Sequence, residues 1–388
     1  MANAAPGAKT CPVATLDQRK SARAVGPGLS AAARPIEGYA EVRRALRDSG
    51  SVQAGFKADI VAHYGTATRP PILYLSGEAH HRQRAATARF FAPRAVSEIH
   101  LPVIEATAER LVAAFVAEGA GRLDIMALDL AVTVAAQIVG LTDSNKRGMI
   151  RRLDAFFSTG LATRTDPIST FIAFVQGRIR MLRFYLRDVR PAIRARRNGP
   201  REDVISHLIA EGYSDRDILV ECFTYGAAGM VTTREFVTMA GWHLLEDDAL
   251  RARFLATDRD GRLALLEEIL RLEPVVGTLY RRPSGGGETL ALDLRSANVD
   301  AAAVGACPYM IDPDRARAER VAGAGLSFGD GEHRCPGAVV ALHEAEIFLD
   351  RLLRVPGLAL AKAPTVGWNP LITGYELRDC ELVVEMTG

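Results

Sequence analysis

Phe328-Gly329-Asp330-Gly331-Glu332-His333-Arg334-Cys335-Pro336-Gly337 is a loop punctuated by three glycines that delivers a cysteine to the start of a helically spaced stretch, Ala338 to Leu353. Glycines at this density mark backbone that turns tightly or is approached closely. A cysteine at a helix start meets free amide groups and the positive end of the helix dipole. Together these favour its thiolate by about 0.3 to 1 kcal/mol in exposed settings and by more when buried. The other use of such a residue is as a buried structural cysteine, which is the commoner one.

Three further segments carry polar groups at helical spacing. Glu268-Ile269-Leu270-Arg271 sets an acid and a base three residues apart on one face, just before Pro274. Alone, it would read as a solvated ion pair of small worth. Glu78-Ala79-His80-His81-Arg82-Gln83-Arg84 places His80 and Arg84 four residues apart, hence on the same face. A capping box at Ser214-Asp215-Arg216-Asp217 opens a long run from Ile218 to Leu245 that contains no proline. Within that run lies Gly226-Ala227-Ala228-Gly229, small residues that weaken a helix and so imply close packing or a ligand. Thr232 follows, and an interior helical threonine is ordinarily satisfied by the carbonyl four residues earlier.

The four segments, in their order along the chain, resemble the cytochrome P-450 family. Phe328, Gly331, Cys335 and Gly337 occupy the fixed positions of its heme-binding loop, in which the cysteine thiolate is the axial iron ligand and pushes electron density onto the iron. The resemblance implies that His80, Arg84, Arg281 and His333 hold the heme propionates, with Glu268 and Arg271 as the family's Glu-x-x-Arg pair. It implies that Gly229 opens room over the iron and that Thr232 handles oxygen and its protons. In the oxygen-binding segment, Ala228-Gly229-Met230-Val231-Thr232-Thr233, the acid that usually precedes the threonine is replaced by Val231. Glu235, one turn along the same face, is the candidate substitute; its alternative is an ion pair with Arg234.

The expected fold is mainly α with small β elements, forming the cytochrome P-450 fold as a single heme-centred domain over 26–388 behind a flexible N-terminal arm, 1–25. Strands are expected at Thr289 to Leu294 and Glu381 to Glu385, and a buried helix at Ala127 to Leu141. Gly285-Gly286-Gly287 shortens the region where the family has a strand pair. Across the 388 residues, 48 basic residues against 46 acidic ones give a net charge of +2, which provides no field to draw nucleic acid or an anionic membrane. No stretch has the length of a membrane anchor. Five scattered cysteines suggest no disulfide framework, and a reducing, cytoplasmic setting is expected.

The resemblance implies a monooxygenase carrying heme b (iron protoporphyrin IX) that takes O2 and a small, largely apolar substrate, in secondary metabolism. No Gly-x-Gly-x-x-Gly fingerprint follows a predicted strand, so electrons are expected from external proteins such as a ferredoxin and ferredoxin reductase. Candidate cavity segments are Ile60 to Tyr74, Phe156-Phe157, Tyr225 to Gly229, Val275 to Thr278 and Leu371 to Thr373. Two other readings stay open: a heme-thiolate enzyme that uses peroxide or performs a coupling or rearrangement, and a non-catalytic heme-binding sensor.

Overall fold

In the computed structural model, which describes residues 19–24, 26, 33–55, 69–158 and 167–385, the capping box at Ser214 closes as the sequence predicts. The Asp217 N–H donates to the Ser214 hydroxyl at 3.2 Å, and the Ser214 N–H donates to the Asp217 carboxylate at 3.1 Å. From this start the central helix runs through Asp215–Tyr225, a π-helical segment Gly226–Val231, and Thr232–Glu246. The unbroken α-helix expected from the spacing is thus interrupted at the small residues, which lack the side-chain packing that would hold a regular turn. At the end of this segment the Thr232 hydroxyl donates to the Ala228 carbonyl at 2.5 Å, a bond of the kind that bends helices.

The central helix packs between Leu123–Val139 and Ala338–Leu353, with Arg259–Leu272 alongside. Val237, Ala240 and Leu244 from it, Leu123 and Leu130 from the first neighbour, and Phe348 and Leu352 from the second are fully buried in one apolar core. Gly241 sets the closeness of this packing, because a Cβ there would lie 2.7 Å from Leu123 Cδ2. Helix Leu123–Val139 holds most of the segment read as a buried helix, Ala127 to Leu141, but stops at Val139 because Gly140 caps it with φ +97°, and Ala338–Leu353 has the bounds the spacing gave.

Three small sheets sit beside the helices. The first has the order β1-β5-β4-β2, with β1 (Ala33–Ile36) parallel to β5 (Thr289–Asp293), and β4 (Thr278–Pro283) antiparallel to both β5 and β2 (Ser51–Gln53). Gly285-Gly286-Gly287 is the turn of the β4–β5 hairpin, so the strand pair survives the shortening. β3 (Ala120–Arg122), β9 (Glu381–Val384) and β6 (Leu358–Lys362) form the second sheet, and β7 (Thr365–Asn369) with β8 (Gly374–Arg378) the third.

The expected arm, 1–25, is corrected for its described part. Residues Lys20–Arg23 form a short 3-10 helix in which Ser21 is buried. The N–H groups of Lys20 and Ser21 donate to the Glu273 carboxylate at 2.6 and 3.0 Å, and the Lys20 ammonium lies 4.1 Å over the Trp242 ring. A buried carboxylate facing the chain entry needs donors, and this segment supplies them. Residues 1–18 lie outside the described part. No described helix is long and apolar enough to cross a membrane.

Candidate active site

Loop geometry places Cys335. Its N–H donates to the Phe328 carbonyl at 2.8 Å, which closes the loop on itself. Gly329 and Gly331 take φ of +69° and +68°, which L side chains resist. A Cβ on Gly331 would also stand 2.6 Å from the Leu46 carbonyl oxygen, so the loop is seated directly on the backbone of helix Tyr39–Arg47. Phe328 packs against the main core, and Arg43 donates to Asp330 at 2.8 Å to tie the loop from outside.

Cys335 opens onto a cavity lined by Ile72, Leu73, Ala135, Val139, Ala228 and Gly229, among others, with His80, Arg84, His333 and Gly337 also on its wall. The cysteine has accessible surface, yet the protein around it pushes its thiol up. Its accessible face therefore opens into the cavity. Burial outweighs the helix-start amides here, against the expectation of a ready thiolate; the Gly337 N–H and the Arg84 and Arg334 guanidiniums act in the opposite, lowering sense.

His80 and His333 stack with ring centroids 4.2 Å apart, and His80 is buried with Nδ1 unpartnered. Burial, followed by the charges of His80, Arg281 and Arg84, pushes the His333 imidazole down to about 3. Arg281, buried on β4, donates to Gln53 Oε1 and to its neighbour's carbonyl, and burial lowers it to about 10. Arg84 donates to the Arg334 carbonyl. Neither arginine has a carboxylate partner among the described residues. Arg281 is a buried guanidinium without an acid, which is costly, and together with half-buried Arg84 and the two imidazoles it makes a group that calls for anions.

Glu268 and Arg271 are fully buried, joined by bonds of 2.9 and 2.7 Å, and Arg315 and Arg317 also donate to Glu268. Arg271 reaches the carbonyls of Asn298, Pro308 and Met310, and so pins the segment that precedes the cysteine loop. This is a structural clamp, not the solvated pair that spacing alone would suggest.

On the central helix the wall of the cavity is Gly229 and Thr233; Thr232 is half-buried and spends its hydroxyl on Ala228. Val231 belongs to the core. Glu235 is corrected as a relay. It is fully buried away from the cavity wall, and its carboxylate accepts from Arg234 Nε at 2.9 Å, from Arg378 at 2.9 Å and from the Leu377 N–H at 2.6 Å. With both oxygens engaged it anchors β8, as the alternative ion-pair reading anticipated.

Of the expected cavity segments, Ile72 and Leu73 and the Tyr225 to Gly229 run contribute walls, whereas Val275 to Thr278 and Leu371 to Thr373 do not. Residues 56–68 and the side chains of Phe156 and Phe157 lie outside the described part. Sequence reasoning missed Glu344. It lines the cavity from helix Ala338–Leu353, is buried with Oε2 unpartnered, and is pushed well above the usual carboxylate range by burial. An acid on the apolar side of a helix, with no base at i±3 or i±4 to meet it, was the available signal.

No family model matches the sequence. Cyclomarin C epoxidase CymV of Salinispora arenicola is 32% identical over 310 residues, covering 74% of this chain and 72% of that protein. Cytochrome P-450 monooxygenase PikC of Streptomyces venezuelae is 29% identical over 326 residues, covering 76% and 72%. The crystal structure of cytochrome P-450 MoxA from Nonomuraea recticatena superposes with a TM-score of 0.72 at 20% identity, covering 91% of this chain and 90% of that one.

The chain belongs to the cytochrome P-450 family. It is a cytochrome P-450-type monooxygenase with the fold of that family. Membership implies a heme-iron cofactor, and the cavity suits one. The guanidiniums of Arg84 and Arg281, with the imidazoles of His80 and His333 as further hydrogen-bond donors, suit a flat apolar group with two carboxylates at one edge. Gly229 and Gly337 add a second observation: a Cβ on either would meet its nearest protein atom only at 3.7 or 3.9 Å, and neither has positive φ. The protein's own packing does not demand glycine at these two wall positions of the cytochrome P-450, so the space they leave faces the cavity.

The thiols of Cys222, Cys335 and Cys380 are free, but Cys307 is disulfide-bonded. One bridged cysteine is not a disulfide framework, but it removes cysteine usage as support for a reducing compartment.

Proposed function

We propose that this cytochrome P-450 binds heme b, with Cys335 as the proximal iron ligand, and oxidises a small, largely apolar molecule in the tailoring steps of secondary metabolism. The observation that carries the reading is a thiol on an apolar cavity with His80, Arg84 and His333 on the same wall and Arg281 near His333. When bound, heme supplies reductive activation of O2, with electrons from external donors such as a ferredoxin and its reductase. The identity of the relative CymV as an epoxidase supports the substrate class.

The chain's own residues divide the remaining work. His80, Arg84, Arg281 and His333 meet the propionates with charged donors, and sealing those carboxylates relieves the burial cost of the arginines. Phe328 and Gly337 shape the loop beneath the ring. Gly229 leaves the opposite wall open. Thr233 stands on that wall already, while Thr232 must release the Ala228 carbonyl before its hydroxyl turns to a ligand. Glu344, on the helix that follows Cys335, is pushed well above the usual carboxylate range by burial and adds a polar group to the cysteine side of the cavity. Arg334, exposed beside the cysteine, suits an acidic electron donor.

The test is the absorbance spectrum of the reduced, CO-bound protein. A thiolate-type band is expected, and Cys335→Ala should abolish it. Native folded protein without that band would overturn the assignment.

A further inference from the structure

The helix Pro167–Phe184 and the π-helical turn that continues it, Tyr185–Val189, expose a row of large apolar side chains. Ile172, Val175, Ile179, Leu182 and Leu186 are 44%, 38%, 43%, 55% and 43% accessible. With Phe174 they make six of the eleven exposed large apolar residues among those described, so the exposure is concentrated, not scattered. The spacing along the row is three, four, three, four. That is the heptad seam of a coiled coil, narrower than the broad apolar face by which a helix lies on lipid. The far side of the same helix is the packed one, since Phe184, Asp188 and Val189 are buried.

The rim of the seam is basic. In heptad register the flanking positions are Gln176, Arg183 and Arg190 on one side and Arg178 and Tyr185 on the other. The three arginines are exposed and have no carboxylate partner among the described residues. The only acid between 167 and 198 is Asp188, which Arg152 holds at 2.7 and 2.6 Å.

We propose that this seam docks an acidic amphipathic helix of a partner protein, with apolar residues at the two seam positions of each heptad and Glu or Asp at the flanking ones. A second copy of the chain is disfavoured, because pairing this face with itself sets arginine rim against arginine rim. An anionic lipid surface fits the charge but not the narrow seam, and the chain's net charge of +2 gives it little long-range pull. The row from Ile172 to Leu186 spans about 21 Å at the rise of an α-helix, enough for two heptads of a partner.

The test uses the full-length heme-loaded protein and a synthetic three-heptad peptide with Leu at the seam and Glu at the rim. Its sibling carries Lys in place of Glu. The Glu peptide should bind at least tenfold more tightly than the Lys peptide at low salt, and the gap should shrink as salt is added. In Ile179→Glu/Leu182→Glu the binding should fall to background while the reduced-CO band is unchanged, which separates loss of docking from loss of fold. Equal affinity for both peptides, or binding retained in the double variant, would overturn the proposal. So would a dimer of the parent protein, or its co-sedimentation with phosphatidylglycerol vesicles, that disappears in that variant, because the seam would then belong to a second copy or to lipid.

Discussion

Two buried carboxyls show how environment, not residue type, sets a role. Glu344 faces the cavity with one oxygen unpartnered, and Glu221 lies buried in the first half of the central helix with its other oxygen accepting from the Ile72 N–H at 3.2 Å. Glu344→Gln keeps the shape and removes a charge that burial disfavours, so we expect unchanged heme loading and equal or higher stability above pH 7 in denaturant titrations; a clear loss would mean that the carboxyl has a partner. Burial raises Glu221 from 4.5 to about 7. The folded chain therefore holds a proton that the unfolded chain has lost, and stability falls as pH climbs from 4.5 towards 7. The loss amounts to about 3 kcal/mol at most. Glu221→Gln should flatten this slope relative to the parent in denaturant titrations across that window. Cys335, His80 and Arg84 were legible because spacing within ten residues places them. The fate of Glu235 was not, since Arg378 and the Leu377 N–H that claim it arrive from 143 and 142 residues away.

At the scale of elements, periodicity located the helices well and the interruption of one of them poorly. Ala338–Leu353 and the capped start at Ser214 follow from local signals that the fold does not override. The π-helical segment Gly226–Val231 depends on how small residues pack against Leu123–Val139, a contact with no signature in the helix itself. The cysteine loop is an element of the same dependent kind. Gly331→Ala adds a methyl at φ +68° and 2.6 Å from a backbone oxygen, neither of which can relax cheaply. We expect a loss of about 2 to 4 kcal/mol from the combined strain and steric clash. Weakened heme retention should accompany it, read as faster heme transfer to apomyoglobin. Gly337→Ala, with space around it and ordinary φ, should leave stability nearly unchanged and affect only ligand-loaded protein.

For the molecule as a whole, the mainly α fold with small β elements was readable because four ordered motifs converge on one cavity. The packed N-terminal segment was not, because Ala, Gly, Pro and charge look alike in a tether and in a clasp. A chain beginning at residue 25 loses two N–H donors to Glu273, the cover over Trp242 and the Arg19 bond to the Arg295 carbonyl. It should unfold at lower temperature, with a cost of about 2 to 4 kcal/mol for a buried carboxylate stripped of charged-type bonds. An unchanged melting temperature would mean that water replaces those donors.

The seat of Gly331 on the Leu46 carbonyl also bears on how the protein is made. The seat is synthesised within the first fifty residues, His80 soon after, Arg281 much later, and Cys335 only when less than a seventh of the chain is still to come. At elongation rates of roughly 5 to 20 residues per second, several seconds separate Arg281 from His333 and Cys335, so three of the four basic side chains exist before the fourth and the thiol are made together. Under the proposed assignment of Cys335, cofactor capture falls in the last moments of translation or on the released chain, because a ribosome stalled before residue 335 has not yet made the proposed ligand.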